Sequence, residues 1–337
     1  MKTVTDIKRW ISMGFLLGLL CQFANVGFVL CAEKADPYAP YDNGVPEGYK
    51  IIEGDIIVPI VSVEGVFATN WWPNGVVPYK FDTNVSAANQ NLMLAAMAEW
   101  QAVANVQFVV RNNEGNYLHI QNSIENSSYV GMHNGRQVVN IFNWNFRFIM
   151  AHELGHALGM WHEQSRPDRD TYVTIEWGRI QSGQEHNFDR HDEADVYGPY
   201  DFGSVMHYGQ CSFSTCANCM ANPTNCRTIT VNPPWDTQWQ NQIGQRNSFS
   251  HLDELTMSFL YPEEGWVFVN RSYPLAPSCT PLPFGSFIHP FCDFIIAALI
   301  VPPGGTVVIQ PGSYNAVGVY PKAMTIRAPL GGVVLGD

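Results

Sequence analysis

Charge is scarce in this chain, and basic charge scarcest of all. Only 14% of the 337 residues are charged, with 18 Lys and Arg against 30 Asp and Glu, a formal net charge of -12. No surplus of cations exists to neutralise phosphates, which excludes nucleic acid as a partner. With 46% hydrophobic residues the chain is also too apolar for a disordered polymer, so a packed core follows. Long apolar runs are missing as well. Beyond residue 30 none reaches eighteen residues, which excludes a spanning helix there. No clear internal repeat is present outside the tail.

The first thirty residues depart from this pattern. Lys2, Lys8 and Arg9 precede apolar stretches from Trp10 to Leu20 and from Phe23 to Leu30, the form of an export signal removed near Ala32. A membrane anchor is the rival reading, but Gln22 and Asn25 break the run below spanning length. The protein is therefore read as secreted, without a stable membrane anchor. Eight cysteines occur, two of them in the leader; the rest are Cys211, Cys216, Cys219, Cys226, Cys279 and Cys292. An even number in an exported chain favours disulfides. Cys216-x-x-Cys219 also fits a second zinc, but export makes local disulfides the better reading. Cys279 and Cys292 are expected to bridge the tail.

Composition shifts along the chain mark its organisation. Residues 33–66 carry Pro and Gly without a helical period and read as an extended segment. Leu92, Ala96, Trp100 and Val103 recur at helical spacing, predicting a helix from Asn89 to Ala104. Strands are predicted at Val106–Val110, Tyr117–Gln121 and Val138–Phe142, where β-branched and aromatic residues gather. A second helix is predicted from Phe146 to Leu158. Ser250-His251-Leu252-Asp253 has capping-box form and opens a third, running to Tyr261. After Pro262 and Gly265, short β runs between Gly/Pro turns resemble the first coils of a parallel β-helix. Such coils cannot bury a stable face alone, so the tail either leans on the main domain or is part of a longer array.

The chemistry is concentrated in His152-Glu153-Leu154-Gly155-His156-Ala157-Leu158-Gly159-Met160-Trp161-His162. Residues four apart share one helix face, so His152 and His156 can present ring nitrogens to one ion. On a straight helix a third ligand ten positions on would lie roughly 15 Å away. Gly159, able to adopt the left-handed conformation, stops the helix and lets His162 fold back. Three neutral imidazoles leave an open position, the arrangement of a catalytic Zn2+ rather than a structural one. Glu153 is placed to reach a water on that ion without being a ligand. An ordinary helix with solvated histidines is the bland alternative; Gly159 and His162 together argue against it.

These residues resemble the astacins, within the metzincin zinc peptidases. The match continues through His162-Glu163-Gln164-Ser165-Arg166-Pro167-Asp168-Arg169-Asp170-Thr171-Tyr172-Val173, and Tyr200-Asp201-Phe202-Gly203-Ser204-Val205-Met206-His207-Tyr208-Gly209 is similar to the family's Met-turn. The resemblance covers about Ala68 to Pro262. It implies an α/β (α+β) domain of two lobes with zinc in the cleft between them, and Met206 as the floor beneath the metal. Tyr208 is implied as an extra zinc ligand that swings away to hydrogen-bond the oxyanion. Ile52-Glu53-Gly54-Asp55 is similar to the latency motif, which puts Asp55 on the zinc of a zymogen; Ile52 departs from the usual Phe. Glu163 matches the residue that fixes the newly freed amino terminus, after cleavage between about Val63 and Asn70. Asn126 and Trp144 stand near positions where the family carries a cysteine pair.

The resulting expectation is a secreted, zinc-dependent metalloendopeptidase acting on polypeptide substrates. Its organisation is an export signal at 1–32, a pro-segment at 33–66, a catalytic domain at 67–263 and a small β-rich module at 264–337. Glu153 serves as general base and then acid, and an extended substrate pairs with an edge strand near Ser127–Gly131. A silent binding or adhesion protein on the same scaffold is the rival reading. Such a protein would not need the proton-shuttling Glu153.

Overall fold

The computed structural model describes residues 44–60, 71–192, 196, 198–271, 285–287 and 289–336. The expected export signal and activation stretch lie outside the described residues, as does Cys279.

Seven strands make the main sheet: β1 (Tyr49–Ile52), β2 (Ile56–Pro59), β3 (Val76–Phe81), β4 (Gln107–Val110), β5 (Tyr117–Asn122), β6 (Ser127–Ser128) and β7 (Arg136–Ile141). Their spatial order is β1-β2-β6-β7-β5-β3-β4. Strands β4, β3, β5 and β7 run parallel, while β6 turns back antiparallel to β7. The β1–β2 hairpin then adds to β6 in parallel, with Ile56 opposite Ser128. The segment read as merely extended is therefore a hairpin that completes the sheet.

Helix α1 (Ala87–Val103) starts at Ser86, whose hydroxyl accepts from the Asn89 amide. Its buried stripe is Met93, Ala96, Met97 and Trp100, at the i, i+3, i+4, i+7 spacing of one face. Leu92, expected on that stripe, is exposed: the inward face is centred one residue later, on the two methionines. Trp100 donates its indole N–H to the Ala151 carbonyl at 2.8 Å, tying α1 to helix α2 (Arg147–Ala157). In α2 every residue from Met150 to Ala157 is buried. Each fully buried large apolar side chain at this junction contributes roughly 1.5–3 kcal/mol.

Beyond α2 the chain is loop-rich, as expected, with short helical turns and two strands, β8 (Val173–Ile175) and β9 (Ile229–Val231), which pair antiparallel over a second cluster containing Phe188, Tyr200, Phe202 and Tyr208. Two disulfides, Cys211–Cys219 and Cys216–Cys226, brace the intervening loop. Helix α3 (His251–Leu260) carries the expected capping box between Ser250 and Asp253.

The tail follows with β10 (Trp266–Val269), helix α4 (Phe294–Ile300), β11 (Thr306–Ile309), β12 (Gly312–Tyr314), β13 (Thr325–Arg327) and β14 (Val333–Leu335). Strands β10, β11 and β13 stack in parallel, and so do β12 and β14. Phe259 of α3 packs on Phe268 and Phe287, with ring centroids 5.4 and 4.9 Å apart, so the tail leans on the body of the protein. Among the described residues no helix is long and apolar enough to cross a membrane.

Candidate metal centre and active site

Helix α2 presents His152 and His156 from one face, and both rings are buried. The helix ends at Ala157; Gly159, at φ 111°, turns the chain where the Cβ of another residue would be strained. The Gly159 and Met160 amides close the last turn on the carbonyls of His156 and Gly155. His162 then comes back to its two predecessors. The Nε2 atom of His152 lies 3.2 Å from that of His156 and 3.3 Å from that of His162.

Such close nitrogens need something between them. Nδ1 of His152 donates to the Val205 carbonyl and Nδ1 of His156 to the Met160 carbonyl, each at 2.8 Å. Nδ1 of His162 donates to Glu53 Oε2 at 2.7 Å. With each Nδ1–H spent, all three Nε2 lone pairs face one point. Two nitrogens bound to one zinc at about 2.0–2.1 Å and the tetrahedral angle stand roughly 3.3 Å apart, so the cradle fits that ion.

Asp55 completes the group. Its Oδ2 lies 3.2 Å from His152, and its Oδ1, a buried oxygen with no hydrogen-bond partner, is 3.6 Å from His156 and 3.3 Å from His162. Burial alone would raise the Asp55 carboxyl, but the three histidines outweigh it and hold it well below the usual range. Burial pushes His152 down to about 3. It acts the same way on His162, yet Asp55 and Glu53 overcome it and carry that ring up to about 9, so that a cation taking Nε2 would displace a proton there. The site thus has two buried carboxylates looking for positive charge.

Glu153, also buried, keeps its Oε2 without a hydrogen-bond partner. Burial, reinforced by the charge of Asp55, raises its carboxyl well above the usual range. Met206 sits so close to α2 that a Cβ on Gly155 would lie 2.9 Å from its sulfur. Tyr208 donates its hydroxyl to the Glu53 carbonyl and stands 4.6 Å, ring to ring, from His162. Glu163 pairs with Arg166 at 2.9 Å and accepts from the Asp201 amide at 2.8 Å.

Of the residues singled out from the sequence, His152, His156, His162 and Asp55 converge on one point, with Tyr208 beside His162. What the sequence did not single out is Glu53. Its carboxylate is 1% exposed and engages His162, the Ser165 hydroxyl at 2.9 Å and His191. Burial would raise Glu53, but hydrogen bonds to His162 and His191 hold it at about 2. Its backbone sits at φ 48°, a strained position for a residue with a side chain. The only sequence signal was its place beside Gly54 in the latency motif. Asn126 proves to bond Asn143 through its side-chain amide at 2.9 Å and to accept from the Phe142 and Asn143 amides, so hydrogen bonds hold that junction.

A sheet with two histidines on its adjoining helix, a third returning after the helix stop and a carboxyl one residue after the first, defines a zinc metallopeptidase. The sequence model of the Astacin peptidase family matches residues 66–262, and the chain belongs to that family. It is 37% identical over 198 residues to zinc metalloproteinase nas-39 of Caenorhabditis elegans, covering 56% of this chain and 20% of that protein. It is 34% identical over 227 residues to meprin A subunit beta of Rattus norvegicus, covering 66% and 30%. With the low choriolytic enzyme of Oryzias latipes the figures are 33% over 223 residues, 63% and 78%. The chain therefore spans less than a third of the first two relatives. Among solved structures, high choriolytic enzyme 1 of Oryzias latipes, a hatching enzyme zinc-protease, matches with a TM-score of 0.51 and 32% identity, over 56% of this chain and 92% of that one.

Proposed function

We propose that the protein is a secreted zinc endopeptidase made as a zymogen, in which residues 33–66 silence a two-lobed catalytic domain at 67–263. His152, His156 and His162 hold the ion. When bound, zinc polarises the scissile carbonyl and makes a water nucleophilic near neutral pH. Glu153 takes the proton of the attacking water and returns it to the leaving amine. Tyr208 donates to the developing oxyanion once the Glu53 carbonyl has left its hydroxyl. The edge from Ser127 to Gly131, which β2 now occupies, takes the extended substrate. Asp55, in the fourth position of the cradle, excludes the water. Export rests on the leader-like first thirty residues and on similarity to a hatching enzyme zinc-protease.

The observation that carries this reading is the set of three lone pairs converging beside the Glu153 carboxyl, which has an oxygen unspent. The test is digestion of a denatured protein by the trimmed chain, with Glu153→Ala and a chelator-treated sample alongside. The variant should lose about 10²–10⁴-fold in rate while keeping its zinc. Cleavage by Glu153→Ala at the wild-type rate would rule out the role given to that carboxyl.

A further inference from the structure

The capping box of α3 lies at the edge of the metal centre, and its function extends beyond the helix. Asp253 is 1% exposed. Its Oδ2 accepts from the Ser250 amide at 2.9 Å, the bond that closes the cap. The same oxygen accepts from the Val205 amide at 2.8 Å, and Oδ1 accepts from the Ser204 hydroxyl at 2.6 Å. The Ser204 oxygen in turn accepts from the Met206 amide at 2.9 Å. One carboxylate thus gathers three consecutive residues of the Met-turn. Val205, fixed through its N–H by Asp253, is also the residue whose carbonyl takes Nδ1–H of His152 at 2.8 Å.

We infer that Asp253 is a positioning residue for zinc: by anchoring the Val205 amide it sets where the Val205 carbonyl stands, and so the direction in which His152 presents Nε2. The peptide groups flanking Val205 form a short rigid lever, planar and buried. Without an acceptor at 253 that lever is held from one end only. The His152 ring is then free to rotate about a bond that its Nδ1–H contact now restrains. Partners of this kind fix ring orientation and tautomer, and their loss typically weakens metal binding 10- to 100-fold.

The inference rests on His152 being a zinc ligand, and the experiment separates the two claims. Zinc affinity of the full chain is measured by chelator competition, and the visible spectrum of the cobalt-substituted chain is recorded beside it. His152→Ala tests the ligand; no change in affinity there overturns the ligand assignment itself. Given loss in His152→Ala, Asp253→Ala is expected to weaken zinc about 10- to 100-fold and to shift the cobalt bands. Ser250→Ala removes the hydroxyl cap but leaves Asp253 bonded to Val205. It should lower the melting temperature with zinc affinity and cobalt spectrum unchanged. A folded Asp253→Ala chain with wild-type affinity and bands overturns the inference, and so does Ser250→Ala weakening zinc as strongly. Should the alanine chain fail to fold, Asp253→Asn decides. Its weaker acceptor should loosen zinc severalfold, and wild-type affinity in that variant overturns the inference.

Discussion

Tyr208 gives its phenol hydroxyl to the backbone carbonyl of Glu53. The group proposed to stabilise the oxyanion is thus occupied by the segment proposed to silence the site, and the neighbouring Asp55 reaches all three histidines. The proposed silencing would use the backbone of Glu53 and the side chain of Asp55, two residues on, at once. The loop that allows this puts Glu53 and Gly54 both at positive φ. Gly54 is packed so tightly that a Cβ there would meet the Phe213 ring at 2.5 Å.

Asp55→Ala and Glu53→Ala should each raise the activity of the uncleaved chain. A hydrogen bond involving a charged group contributes about 1.5–3 kcal/mol, so each change should loosen the segment roughly 10- to 100-fold. Initial rates on a quenched peptide, with gels showing the chain still intact, give the comparison. Equal, negligible activity in both variants and the wild type would count against latency by this segment.

Tyr208→Phe in the trimmed chain should lower kcat by about 10²-fold with little change in KM, the pattern for a donor used only in the transition state. Steady-state kinetics on one peptide decide it. A change confined to KM would place the phenol on the substrate rather than the oxyanion.

His207 should govern part of the acid limb of stability. It is wholly buried, and burial, aided by Arg246, pushes it from 6.5 down to about 4. The unfolded ring therefore takes up its proton first as pH falls. Its share of stability is intact above about 6.5 and is lost progressively towards 4, by about 3 kcal/mol at most. His207→Gln, which retains an acceptor for the Tyr200 hydroxyl, should flatten this limb in urea melts at pH 7.5 and pH 4.5. Parallel pH curves for the two proteins would refute the assignment.

Gly155→Ala opposes two effects. Helix propensity favours alanine by about 1 kcal/mol. Its Cβ, however, would stand 2.9 Å from Met206 Sδ and 3.3 Å from the Trp100 ring. Overpacking of that kind costs about 1–3 kcal/mol, and here both neighbours are buried, so the clash should win. Thermal melts should show a lower midpoint; a higher one would mean that Met206 yields freely.

Elements with a strong local signal were legible before any coordinates. The capping box at Ser250 and Asp253, the stop at Gly159 and strands β4, β5 and β7 all reflect hydrogen bonds or steric limits acting within a few residues, whereas β3 between β5 and β4 was not foreseen. On α1, Ala96 and Trp100 of the expected stripe are buried, but Met93 takes the inward place expected of Leu92, because both are apolar and only the neighbours of the helix choose between them. The upstream hairpin was missed for a related reason: β1 and β2 are four residues each and complete their pairing on β6.

By itself the sequence determined the ligand set, because a helical repeat of 3.6 residues makes His152 and His156 neighbours wherever the helix lies, and a glycine stop lets His162 return. Tertiary structure alone decided that Glu53, 109 residues from His162, would hold that ring by its Nδ1, and that Asp253 would reach the Met-turn. Such contacts depend on how separate elements pack across the core, and no spacing along the chain encodes the packing of one buried carboxylate against a residue so distant.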